Sequence, residues 1–171
     1  MDSIAWWPNF GVLLLASAID IFTRRIPNWL VLPFLLAGFA VRAWTNGWSG
    51  AWFSLAGAGL ACLLFGLPCL LKGMGMGDLK LAVAVGSWIG PGQLFIAFIV
   101  TGIAGALIAI PYALWRGALG QCFDNTADLL SHFGKLRLIP HDEVRLGRVG
   151  AVSIPYAPAI AVGTLFSFFA R

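Results

Sequence analysis

Residues 51–71 read AWFSLAGAGLACLLFGLPCLL, an apolar run that contains no charged side chain. A helix needs about 20 consecutive apolar residues to cross the hydrocarbon core of a bilayer, and this run has that length. Comparable runs fill most of the remaining chain. Together with residues 51–71 they give candidate spans at about 4–22, 28–44, 51–71, 79–92, 94–115 and 151–170. The sequence therefore predicts an all-α, polytopic membrane protein with about six transmembrane helices.

The composition of the whole chain excludes an ordinary soluble protein. Of its 171 residues, 60% are hydrophobic and 11% are charged, and the mean hydropathy is +0.88. Soluble domains are typically about 45–50% apolar and about 25% charged. Six spans leave no room for a separate soluble domain at this length. We therefore expect residues 1–171 to form a single integral-membrane domain with a cytoplasmic loop at about 117–150.

The basic residues predict the orientation of these spans. If Arg24 and Arg25 lie in the cytoplasm, the alternation of spans puts seven more basic residues on the same side, namely Lys72, Lys80, Arg116, Lys135, Arg137, Arg145 and Arg148. The positive-inside rule favours this arrangement, with both termini outside. The net charge of +4 thus reflects topology, and we do not interpret it as a nucleic-acid site.

The tryptophans agree with this orientation, because they fall at the ends of the predicted spans, where an aromatic belt is expected. Those near the outer boundary are Trp6, Trp7, Trp44, Trp48, Trp52 and Trp88, and those near the inner boundary are Trp29 and Trp115. The three cysteines, Cys62, Cys69 and Cys122, form no CxxC pair and have no histidine at ligand spacing. They support neither a disulfide framework nor a zinc site, and we expect no metal and no cofactor.

Two acidic residues lie at membrane depth rather than in polar segments. Asp20 ends the first predicted span and Asp78 begins the fourth, and the predicted topology puts both at the same level on the cytoplasmic side. A carboxylate inside a membrane costs several kcal/mol, so such residues indicate function. From Asp78 to the turn at residues 90–92 a helix would extend only ~18–21 Å, against a hydrocarbon core of ~30 Å. We expect a water-filled cavity at Asp78, beside non-helical backbone that the preceding glycines permit.

Two neighbouring carboxyl groups suit acid–base chemistry. Mutual repulsion leaves one of them ionised and the other protonated. The ionised group can take a proton from a water that attacks a peptide carbonyl, while the protonated group polarises that carbonyl and later supplies the leaving amine. The same two residues also fit a proton relay in a small proton-coupled transporter, or polar contacts between helices. An inactive scaffold protein is a further alternative.

Three sequence blocks, taken together, resemble the type IV prepilin peptidase family. They are DIFTRRIPN at residues 20–28, GMGDLKL at 75–81, and IPYAPAIAVG at 154–163. They occur in the family's order and bracket nearly the whole chain. The resemblance implies a six-span bundle of the GxGD aspartic protease type, in which Asp20 and Asp78 are the catalytic pair.

The resemblance also implies a substrate and a location. Such enzymes cut the leader of prepilins or pseudopilins at the cytoplasmic side of the bacterial inner membrane. Longer members of the family carry two CxxC pairs in an extra cytoplasmic domain and also methylate the product. The present chain has no CxxC pair and therefore resembles the short form found in tight-adherence (Flp) pilus systems. We therefore expect no N-methyltransferase activity. The supporting positions are Ile26, Pro27, Asn28, Gly75, Gly77 and Lys80. We expect Pro27 to fix the turn beside Asp20 and Asn28 to hydrogen-bond exposed backbone there. Lys80 either tunes the titration of Asp78 or extends to the inner membrane interface.

Overall fold

The structure is a computed structural model and describes residues 3–70, 74–115 and 156–170. These residues form four helices: α1 (Ser3–Thr23), α2 (Asn28–Leu70), α3 (Met76–Trp115) and α4 (Ala157–Phe169). No strand occurs within the described residues, and the all-α prediction is confirmed for them. The predicted cytoplasmic loop at about 117–150, and residues 151–155 of the last predicted span, lie outside this part of the chain.

Two glycines interrupt the long helices α2 and α3. Gly47 has φ 62° and ψ −143°, and Gly90 has φ 78° and ψ 177°. This part of backbone conformational space is open essentially to glycine alone. The breaks divide α2 into α2a (28–46) and α2b (48–70), and α3 into α3a (76–89) and α3b (91–115). These four segments correspond in position to four of the spans predicted from sequence.

The chain folds back at both glycines. Gly50 lies against the carbonyl oxygen of Arg42, although the two residues would be about 12 Å apart in a straight helix. In α3, Gly86 lies against Ala61 of α2b, and the ring centroid of Phe98 is 5.0 Å from that of Phe65. Gly86 and Phe98 would be about 18 Å apart along a straight helix. Their partners Ala61 and Phe65 are only about 6 Å apart along α2b, so α3 must reverse between Gly86 and Phe98. Each long helix is therefore a helical hairpin.

The surface of the bundle is apolar. Two helical stretches, Asn28–Leu70 and Met76–Leu107, are long and apolar enough to cross a membrane. Large hydrophobic side chains are widely exposed, including Phe22 at 86% and Trp44 at 92%. Water would disfavour a contiguous apolar surface of this kind, which marks an interaction with a membrane or a partner. The core between the helices is closely packed, and Leu81, Val85 and Leu94 are almost completely buried.

Trp88 corrects one prediction from the sequence, because it does not belong to an exposed aromatic belt. Its side chain is only 3% exposed, and its Nε1–H donates a hydrogen bond of 2.8 Å to the carbonyl of Phe34. The carbonyl of Trp88 accepts hydrogen bonds from Arg42 Nε and Nη2, at 2.9 and 2.6 Å. This carbonyl lies in the last turn of α3a, where helices lack intrahelical donors, so Arg42 caps that end.

Candidate active site

Asp20 and Asp78 line one pocket, although they belong to different helices. Asp20 lies near the end of α1 and Asp78 lies in the first turn of α3. The pocket has a volume of about 300 Å³, and its lining residues are Asp20, Arg24, Arg25, Ile26, Gly75, Met76, Gly77 and Asp78. Asp20 is only 5% exposed, and Asp78 is partly buried. The structure thus brings together the two carboxylates that the sequence singled out.

A short turn between α1 and α2 forms one wall of the pocket. Arg24 follows the end of α1 with φ 51°, and its backbone N–H donates to the carbonyl of Asp20 at 2.8 Å. At the start of α2, the carbonyl of Pro27 accepts hydrogen bonds from the amides of Leu30 and Val31. Because the chain turns within a few residues, Asp20 and Ile26 both face the pocket.

The glycines at 75 and 77 form the opposite wall. The backbone N–H of Gly75 donates a hydrogen bond to the carboxylate of Asp78. A Cβ on Gly77 would lie only 3.2 Å from Cβ of Ile26, which is closer than ordinary side-chain packing. Gly77 therefore allows the first turn of α3 to approach the α1–α2 turn closely. Ile26, Gly75 and Gly77, predicted as supporting residues, all line the pocket.

The other supporting residues lie just beyond the lining of the pocket. Pro27 is half-buried next to Ile26, and Asn28 begins α2. Lys80 Nζ donates a hydrogen bond of 3.0 Å to Oδ1 of Asn28. This contact differs from the sequence prediction, which pairs Asn28 with exposed backbone and Lys80 with Asp78 or the membrane interface.

The start of α4 contributes to the site in a way that sequence reasoning missed. The backbone N–H of Ala157 donates to Oδ2 of Asp20 at 3.2 Å. Tyr156, immediately before α4, is half-buried and packs against the hydrophobic core. Pro158, in the first turn of α4, is a recognisable sign of a helix start. It could have shown that free backbone N–H groups are present here.

The arginines of the pocket were also missed as site residues. The sequence indicates Arg24 and Arg25 only as topology signals, yet both line the pocket beside the two carboxylates. The guanidinium of Arg24 interacts electrostatically with Asp20. The pocket therefore combines two acidic groups with two permanent positive charges.

This arrangement can support acid–base chemistry. The carboxylates of Asp20 and Asp78 repel one another when both are ionised, which favours a state in which they share one proton. Such a pair presents one base and one acid to the same bound molecule. Within the described residues, no three His, Cys, Asp or Glu side chains are grouped as ligands of a metal ion would be.

The comparisons with known proteins extend the sequence resemblance. The chain is 36% identical over 120 residues to a prepilin leader peptidase/N-methyltransferase of Burkholderia pseudomallei (strain 1026b). This alignment covers 64% of this chain and 37% of that protein. Proteins with the same name from Neisseria gonorrhoeae and Escherichia coli (strain K12) are 28% and 33% identical over 138 and 107 residues. These alignments cover 67% and 59% of this chain, and 46% and 48% of those proteins.

The chain thus spans less than half the length of these curated relatives. Comparison with solved structures gave no significant match. Residues 8–110 match the family model described as the type IV leader peptidase family. This match includes both aspartates of the pocket and covers more than half of the chain. The chain therefore belongs to the type IV leader peptidase family.

Proposed function

We propose that this chain is a membrane-embedded aspartic endopeptidase that removes the leader peptide of type IV prepilins or pseudopilins. The observation that carries the proposal is the shared pocket, which Asp20 and Asp78 line from separate helices. Family membership favours this function over a proton-coupled transporter or an inactive scaffold. Residues 1–171 would act as a single integral-membrane peptidase domain.

In this proposal the two aspartates divide the acid and base roles in peptide hydrolysis. The ionised carboxylate removes a proton from water as its oxygen attacks the scissile carbonyl carbon, and the protonated carboxyl donates its proton to the carbonyl oxygen. The C–N bond then breaks as the leaving nitrogen takes a proton from the carboxyl that acted as base, and not from the initially protonated carboxyl as the interpretation of the sequence has it. The hydroxyl oxygen returns its proton to the other carboxylate. The products are a carboxylic acid and an amine, and the pair is regenerated.

We place the active site near the cytoplasmic face of the bacterial inner membrane, in a bundle of six crossings. Support comes from the two hairpins, because each has about twice the length of one crossing and reverses at a glycine. Arg24 and Arg25 line the pocket, and the positive-inside rule places such residues in the cytoplasm. A substrate with a basic leader and an apolar helix could then present its cleavage site at the level of the carboxylates.

We further propose that the substrates are Flp-like precursors and that the chain does not methylate its product. Its three cysteines form no CxxC pair, whereas such pairs mark the extra domain of the longer proteins that the sequence resembles. Mass spectrometry of a processed pilin tests this part. An unmodified α-amino group at the new N-terminus is expected, and an N-methylated terminus formed by the purified chain would refute it.

Cleavage of a co-expressed Flp-type prepilin tests the peptidase function. The wild type should shorten the precursor at its leader junction, as shown by mass spectrometry of the product. Asp20→Asn and Asp78→Asn should each reduce cleavage by roughly a thousandfold, because neither amide can exchange the required proton, while both variants still insert into the membrane. Asn46→Asp, which alters an exposed residue near the Gly47 break, is the matched control. Normal cleavage by either aspartate variant would overturn the proposed mechanism.

A further inference from the structure

Asn28 and Lys80 form a polar contact at the rim of the pocket. The ammonium group of Lys80 is 3.0 Å from the carboxamide oxygen of Asn28, and the two residues are distant in sequence. Both side chains are exposed, and neither lines the pocket. Nevertheless, Asn28 lies two residues after Ile26, and Lys80 lies two residues after Asp78. The contact therefore joins the two walls at positions two residues beyond a pocket-lining residue on each side.

The two walls are otherwise joined at this point by the packing of Ile26 on Gly77. The wall that carries Asp20 has additional support, because the backbone N–H of Ala157 in α4 donates a hydrogen bond to the carboxylate of Asp20. Asp78 receives its backbone hydrogen bond from Gly75, which belongs to the same wall. The position of Asp78 relative to Asp20 therefore depends on contacts between the walls.

We propose that the Asn28–Lys80 hydrogen bond fixes the separation of the two walls and so holds Asp78 at its working distance from Asp20. This inference rests on the proposed peptidase function. Lys80 acts here through Asn28, and both are positioning residues. A displacement of the reacting groups by about 1 Å can cost a large factor in rate, so a contact of this kind affects turnover more than substrate binding.

Two other roles for Lys80 make different predictions. Lys80 could act on Asp78 by its charge alone, or it could extend to the lipid headgroups. Either role depends on the charge at position 80 and is indifferent to Asn28. A positioning contact requires both partners, and it tolerates any pair in which residue 80 donates and residue 28 accepts. Substitutions at Asn28 therefore separate these roles.

Steady-state cleavage of a prepilin by the purified full chain in nanodiscs is the appropriate assay. Asn28→Ala and Lys80→Met should each lower kcat about tenfold, the size expected for one exposed charge-assisted hydrogen bond, with KM changed by less than twofold. The double variant should be no slower than either single variant. Asn28→Asp and Lys80→Arg should keep most of the rate, and Asn46→Ala should keep all of it. Full kcat in Asn28→Ala, or a double variant slowed about a hundredfold, would overturn the inference.

Amide hydrogen exchange in the same preparations tests the contact without relying on activity. The amide of Leu30 is bonded to Pro27, and that of Leu79 to Gly75, so these amides report on the two walls. Exchange should be faster at both positions in Asn28→Ala and in Lys80→Met, and unchanged in Asn46→Ala. Unchanged exchange in both rim variants would refute the inference. A wild type that cleaves no prepilin would refute the proposed function instead, and the exchange result would still decide the contact.

Discussion

Arg24 adopts a left-handed backbone conformation, with φ 51°, at the residue that follows α1. Glycine usually occupies this position after a helix, because a Cβ there costs roughly 1–2 kcal/mol. The chain has an arginine instead, and its side chain lines the pocket beside Asp20. A local backbone cost at a residue of the pocket is typical of functional positions.

The variant Arg24→Gly should therefore fold more stably than the wild type. Relief of the left-handed strain should exceed the entropic cost of glycine, giving a gain of up to about 1 kcal/mol and a higher thermal midpoint in detergent. Arg25→Gly is the matched control, because no positive φ is found at Arg25, and it should lower the midpoint. The prediction fails if both variants lose stability equally.

Gly77 and Ile26 provide a test of the close approach between the pocket walls. Gly77→Ala would place a methyl group 3.2 Å from Cβ of Ile26, so that the α1–α2 turn must move by a few tenths of an ångström. We expect prepilin cleavage to fall about tenfold, since small displacements at reacting groups are costly, with little change in thermal midpoint. Gly102→Ala, on the same helix in open space, should retain full cleavage. Full cleavage by Gly77→Ala would show that the walls tolerate a wider separation.

The sequence identified several residues of the site but not their contacts. Asp20 and Asp78 stand out because a charge at membrane depth is costly whatever its neighbours are. The hydrogen bond between Asn28 and Lys80, and that from Ala157 to Asp20, depend on which helices pack together. A single sequence without an alignment carries no direct signal for such pairings. The catalytic roles of the two aspartates remain predictions that the proposed experiments test.

At the scale of elements, the hairpins of α2 and α3 depend on their glycines. The sequence predicted boundaries between spans at about 44–51 and 92–94, close to both breaks, because the apolar runs are interrupted there. The sequence did not show how abrupt each reversal is. In the structure, only one residue at each break leaves helical geometry. Trp88 was misplaced for a related reason: apolar character does not distinguish a side chain that faces lipid from one that faces another helix.

Gly90→Ala should destabilise the α3 hairpin. Gly90 has φ 78°, and a Cβ there would overlap the ring of Phe53. The backbone cost of about 1–3 kcal/mol and the steric cost of about 1–3 kcal/mol together predict a loss of several kcal/mol. Thermal unfolding in detergent measures this loss. Gly92→Ala, two residues later in open space, is the control and should be nearly neutral. Equal midpoints for the two variants would contradict the account of the turn.

At the scale of the whole molecule, the proposed orientation places the pocket and the Gly47 break on opposite sides of the membrane. Single-cysteine variants made in a background without the native cysteines test this arrangement. In right-side-out vesicles, an impermeant maleimide should label Asn46→Cys and leave Arg25→Cys unlabelled. Inverted vesicles should give the reverse result. Labelling of Arg25→Cys from outside would place the site on the other face of the membrane.

The juxtaposition of the two carboxylates supports every mechanistic step proposed above, and crosslinking tests it most directly. In a chain with Cys62, Cys69 and Cys122 replaced by serine, the pair Asp20→Cys and Asp78→Cys should be joined by a short thiol-specific crosslinker in native membranes. Mass spectrometry of the linked peptides measures the yield. The pair Asp20→Cys and Asn46→Cys, at opposite ends of the bundle, should give no link. Efficient linkage of positions 20 and 78 is the predicted result, and its absence with both short and longer crosslinkers would contradict the shared pocket.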